Sequence, residues 1–108
     1  MITLWICSPA HDVLSLAAVY PEMPMTCQQL DVSSSLTGVC VERHARTRLD
    51  LQKEKPGAEY DKPDAVFGEP ELVRSLGLRE MISIPILNRY NKNHVRLVVN
   101  LFPQAYGD

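Results

Sequence analysis

A chain of 108 residues that is 45% hydrophobic and 22% charged has the size and make-up of a single domain around one core, spanning residues 1–108, and is too short for two. Its 11 basic and 13 acidic residues leave a formal charge of −2, and the basic cluster Arg43, His44, Arg46 and Arg48 is bracketed by Glu42 and Asp50. That balance argues against a phosphate-backbone reader, so no nucleic-acid partner is expected.

The opening run MITLWIC falls far short of the roughly 20 apolar residues of a membrane span and has neither a basic leader nor a cleavage pattern. No membrane partner is expected, and the cytoplasm is the expected location. Within the run, Ile2, Leu4 and Ile6 alternate with Trp5 and Cys7, which is the period of a strand with two apolar faces. The turn residues PAHD follow, and LSLAAVY continues as a strand to Tyr20 before Pro21, so the two runs read as a hairpin. Residues 21–34, with two prolines, read as a connection holding at most a short helical turn.

In SLTGVCVERHA the residues Leu36, Val39, Cys40 and Arg43 share one helical face, which predicts a short helix capped by Ser34 or Ser35. RTRLDLQ alternates charged and apolar side chains and suits an exposed strand. Residues 53–68, KEKPGAEYDKPDAVFG, read as a long charged loop of the kind that is functional or mobile. EPELVRSLG has the signs of a short helix: Pro70 in its first turn, Glu69 and Glu71 at its positive end, and Gly77 just past its last residue. LREMISIPILN and HVRLVVNLF are then two strong strands joined by RYNKN. Pro85 stands inside the first of them, which is tolerated where a neighbouring strand has stopped, at a bulge, or where the strand itself ends.

Three of these stretches, in this order, resemble the GAF domain, a PAS-related sensory fold: SLTGVCVERHARTRLDL, FGEPELVRSLGLREMISIPIL and NHVRLVVNLF. The first is similar to the family's glycine-bearing helix and following strand. The second is similar to its short helix, Gly-Leu-Arg turn and proline-containing strand, and the third to its last core strand with an aliphatic-Asn-aliphatic run. The resemblance covers residues 2–102. It implies an α+β fold with a central antiparallel sheet of about five to six strands and short helices on one face. It also implies helices before the first strand and after the last, which the sequence lacks, so one apolar sheet face is expected to want a cover from a second copy or from further domains of a longer chain.

Chemistry is sparse. His11 beside Asp12 reads as a turn signal, and His44 and His94 as exposed side chains. Cys7, Cys27 and Cys40 are odd in number, widely spaced and without metal-ligand spacing, which suits reduced, buried thiols. One branch of the family reduces free methionine sulfoxide; Gly38-Val39-Cys40 is similar to a piece of it, but residues 53–68 lack the cysteine that branch carries there. Cysteines suited to bilin attachment and a ligand set suited to haem are also missing. Asn100 is similar to the first residue of the Asn-Lys pair in cyclic-nucleotide-binding members, but Leu101 replaces the lysine.

The resemblance therefore implies a sensory or regulatory domain that binds an unidentified small molecule, with no cofactor named and no catalytic residue assigned. The expected pocket lies under residues 53–68 and is lined by Tyr60, Asp64, Phe67, Val73, Leu76, Met81 and Ser83. In this reading Ile82, Ile84 and Ile86 form dry core. The alternatives are a dimerisation or docking module without ligand, and a thiol-based free methionine sulfoxide reductase.

Overall fold

The alternating runs pair into one sheet. The computed structural model describes residues 1–25, 27–50, 77 and 79–103. Its strands are β1 (Ile2–Cys7), β2 (Val13–Tyr20), β3 (Gln29–Asp31), β4 (Thr47–Asp50), β5 (Glu80–Leu87) and β6 (Val95–Leu101), in the spatial order β3-β2-β1-β6-β5-β4. Every neighbouring pair is antiparallel. The first and last strands are partners at the centre of the sheet, with Leu4 opposite Val99, as the alternation in both runs requires if their apolar sets are to share a face.

The connection between β2 and the helix holds more than a turn. Gln29–Asp31 pairs with Val13–Ser15, and Val32–Ser34 closes as a single 3-10 turn. The helix α1 (Gly38–Arg43) starts later than the apolar spacing suggests. Ser35 acts at its entrance all the same: its hydroxyl accepts the Gly38 N–H at 3.1 Å and donates to the Asp31 carbonyl at 2.7 Å. Gly38 is required there, because a Cβ at that position would lie 1.9 Å from the Val32 carbonyl oxygen. Leu36, Val39, Cys40 and Val41 are buried, whereas Arg43 is exposed and leaves the predicted apolar face. The predicted helix over residues 69–76 and the loop 53–68 lie outside the described residues.

Pro85 sits in the middle of β5, opposite Val98 of β6, and the strand runs on to Leu87. On its other side β4 pairs only with Glu80–Ser83, so the proline comes after its neighbour has stopped, and the strand does not end there.

The two faces of the sheet differ sharply. On the side of α1, the core gathers Trp5, Cys7, Leu14, Met81, Val98 and Phe102 with Leu36, Cys40 and Val41. On the other side, three cross-strand rows carry only aliphatic side chains: Ile2, Leu101 and Ile82; Leu4, Val99 and Ile84; Ile6, Leu97 and Ile86. The middle of this second face, Leu4, Val99 and Ile84, is half-buried, and exposed residues lie at its margins. Ile2, Ile6 and Ile86 are 41%, 50% and 40% exposed, so the isoleucine face of β5 is not the dry core that its composition suggests. The dry side is the one carrying Met81 and Ser83.

Candidate functional site

Of the expected pocket residues, Tyr60, Asp64, Phe67, Val73 and Leu76 lie outside the described residues. Met81 and Ser83 stand two apart on β5, both fully buried on the α1 side. Ser83 faces Asn100 directly across the β5–β6 pairing and donates its hydroxyl hydrogen to Asn100 Oδ1 at 2.6 Å. Asn100 Nδ2 in turn donates to Thr37 Oγ1, at the start of α1, at 3.0 Å. Three buried polar side chains from two strands and the helix entrance thus satisfy one another inside an apolar layer, where a missing partner would cost about 1–3 kcal/mol. Trp5 Nε1 makes a second such bond, to Thr3 Oγ1 at 3.1 Å.

The thiols on this side are poorly disposed to chemistry. Cys40 is fully buried, and that burial, with a smaller contribution from Cys7, pushes its pKa up to about 12. Cys7 is also raised, by burial first and the Asp12 carboxylate second. A thiolate is the reacting form of cysteine, and neither environment favours one.

The sequence reading missed the gathering of all three histidines of the chain at one end of the sheet. His11, in the β1–β2 turn, accepts the Val95 backbone N–H on Nε2 at 3.0 Å, and the same nitrogen lies 2.8 Å from His94 Nδ1. The two rings stack at 4.7 Å between centroids, and His44 closes on His11 at 5.9 Å. Because a backbone N–H points at His11 Nε2, that nitrogen bears no proton, and His94 Nδ1–H is the donor between the rings. Burial, then the neighbouring His94 and His44, lower the His11 pKa.

His44 donates from Nε2 to the Asn93 carbonyl at 2.7 Å, so the cluster ties the β1–β2 turn, the end of α1 and the β5–β6 hairpin together. His11 and His44 both have left-handed backbones, with φ of 57° and 52°. His44 ends α1 in a 6→1 and 5→2 pattern, Ala45 N–H to Cys40 O and His44 N–H to Val41 O, at the position where glycine is usual. Among the described residues, no group of three His, Cys, Asp or Glu side chains is arranged to hold a metal ion. No helix among them is long and apolar enough to cross a membrane.

A cleft of about 600 Å³ lies at the outer end of β2, lined by residues 16–23 and Gln28. It is separate in sequence from the expected pocket, and among the described residues its titratable side chains are Glu22 and Tyr20.

No protein-family model and no curated protein matches the chain. Solved structures do. The GAF domain of a two-component sensor histidine kinase from Bacillus halodurans superposes with a TM-score of 0.65 at 17% identity, over 92% of this chain and 60% of that one. The fold is GAF-like. The GAF domain from an Acinetobacter phosphoenolpyruvate-protein phosphotransferase gives 0.60 at 14% identity, over 92% of this chain and 51% of that one. The same GAF-like architecture is found in the free methionine-R-sulfoxide reductase from Neisseria meningitidis, at a TM-score of 0.60 and 14% identity, over 92% of this chain and 48% of that one. The chain therefore spans about half to three-fifths of the length of these structures.

Proposed function

We propose that the chain is a regulatory domain that holds a small molecule on the α1 side of its sheet and passes the bound state on through the opposite face. The observation that carries this reading is the inequality of the two faces. One is closed by α1 over a satisfied polar trio, Ser83, Asn100 and Thr37, and the other is a partly exposed aliphatic surface on the backs of the same strands. A device that relays occupancy needs a side for the ligand and a side for the output, and strands shared by both sides couple them mechanically. In this reading Met81 and Ser83 form the floor of the site. Tyr60, Asp64, Phe67, Val73 and Leu76 supply the rest of its lining, and the GAF-like fold supports that arrangement by analogy.

A second reading, a docking module without ligand, draws on the partly exposed face alone. The thiol-enzyme reading draws nothing from Cys40, whose sulfur is buried and held protonated. Native mass spectrometry of the purified chain, followed by thermal-shift titration with small metabolites including cyclic nucleotides, tests the proposal. A co-purified mass or a saturable rise in melting temperature is expected. A bare chain whose melting temperature no compound moves would leave the docking module as the better reading.

A further inference from the structure

We propose that the histidine junction is a pH-operated clasp, in which a proton on His11 releases the β1–β2 turn from the β5–β6 hairpin at one end of the sheet. This goes beyond the regulatory reading and stands whether or not a ligand binds.

The three histidines differ in what a proton does to them. His44 Nε2 gives its hydrogen to the Asn93 carbonyl, and His94 Nδ1 gives its hydrogen to His11. A charged imidazole carries an N–H on both nitrogens, so each of these two remains a donor after protonation. His11 is the exception. Its Nε2 accepts the Val95 N–H at 3.0 Å and the His94 Nδ1–H at 2.8 Å, and a proton on that nitrogen sets it against two donors at once. Both bonds that join the turn to the hairpin through this ring are then lost together, while the bond that holds the end of α1 to the hairpin stays.

The charges around the ring act in the same direction. His94 faces His11 from the hairpin and His44 faces it from the end of α1, with ring centroids at 4.7 Å and 5.9 Å. Asp12, on the same turn, is engaged by the Ser8 hydroxyl at 2.6 Å. Among the described residues, Glu42 and Arg43 on α1 and Arg89, Lys92 and Arg96 on the hairpin are exposed. Burial first, then the two neighbouring imidazoles, hold the His11 pKa below its ordinary value. The closed clasp therefore resists a proton that the open clasp accepts.

The turn keeps its own shape when the ring lets go. Ser8 Oγ accepts the Asp12 and Val13 N–H groups at 3.2 Å and 3.1 Å, and the His11 N–H donates to the Ser8 carbonyl at 2.9 Å, so none of these bonds involves the imidazole. The Asp12 carbonyl accepts the Val32 N–H at 2.9 Å, and the Val32 carbonyl lies against Gly38, the first residue of α1. Two contacts thus connect the turn to the entrance of α1.

Native-state hydrogen exchange of the intact chain, followed by NMR at the Val95 amide from pH 7 to pH 5, tests the clasp. After correction for the intrinsic pH dependence of exchange, protection of this amide is expected to fall by up to ~10-fold per pH unit from about 6.5 down to the folded pKa of His11, the slope of one linked proton. The fall is expected to be insensitive to low concentrations of urea, the mark of a local opening. His94→Gln keeps a donor towards His11 and is expected to retain the pH dependence. His11→Asn tolerates the left-handed backbone and is expected to abolish it. Where His11→Asn is unfolded, the profile of the unaltered chain decides alone. Protection that is flat from pH 7 to pH 5, a loss that steepens with urea as global unfolding does, or a full pH effect in His11→Asn overturns the inference.

Discussion

Ser83 and Asn100 stand directly opposite each other on β5 and β6 and share a hydrogen bond of 2.6 Å inside the α1-side core. Ser83→Ala removes the donor and leaves a buried amide oxygen without it. We expect a loss of about 1–3 kcal/mol by urea unfolding, larger than the removal of one oxygen atom from an exposed site would cause. Replacing both partners, Ser83→Ala with Asn100→Leu, is expected to cost less than the sum of the single changes. Strict additivity would show that the two side chains act independently.

Gly38→Ala sets two effects against each other. Alanine favours a helix over glycine by about 1 kcal/mol, which at an exposed site would stabilise α1. Here the added Cβ would fall 1.9 Å from a backbone oxygen of the 3-10 turn, and a backbone atom cannot swing aside. The steric effect wins, and we expect destabilisation on the order of 3 kcal/mol or more. An unchanged or raised melting temperature would contradict the close packing of α1 on Val32–Ser34.

The histidine cluster makes stability depend on pH. His11 titrates below its ordinary value of 6.5 in the folded chain, so the unfolded chain takes up its proton first as the pH falls. Its contribution is therefore complete above about 6.5 and is lost as the pH falls from there through the folded pKa. His11→Asn keeps a residue that tolerates the left-handed backbone and removes the titration. The expected outcome is a flatter stability profile between pH 7 and pH 5 than that of the unaltered chain. Parallel profiles would show that protonation of His11 does not matter.

The thiols should react in the order of their exposure. Cys27 is partly exposed, Cys7 and Cys40 are buried, and the Cys40 pKa is near 12. Ellman's reagent at neutral pH should release one equivalent quickly from Cys27, and the remainder only in denaturant. Rapid modification of Cys40 in the folded chain would reopen the thiol-enzyme reading.

Much of the architecture could be read from residue order, because a two-residue period survives in every long strand. The hairpin of β1 and β2, the pairing of β5 with β6 and the two apolar faces all follow from it. Periodicity gives two faces but not their exposure. Which face is dry is decided by α1, which is seated against the sheet by the bond from Asn100 to Thr37, joining residues 63 apart in sequence. The histidine cluster was illegible for the same reason, since His11 and His94 are 83 residues apart and meet only once β1 and β6 have paired. The short strand β3 has three residues and lies in a segment read as loop, too brief for any alternation to register.

The unequal faces underlie the proposed relay, and hydroxyl-radical footprinting reads them in a single strand. Met81 and Ile86 both belong to β5, one fully buried and the other 40% exposed. In dilute solution, we predict that Ile86, Ile2 and Ile6 are oxidised while Met81, intrinsically the more reactive side chain, is spared. Oxidation of Met81 at the rate of the half-buried Met23, or isoleucines already protected at high dilution, would contradict the account.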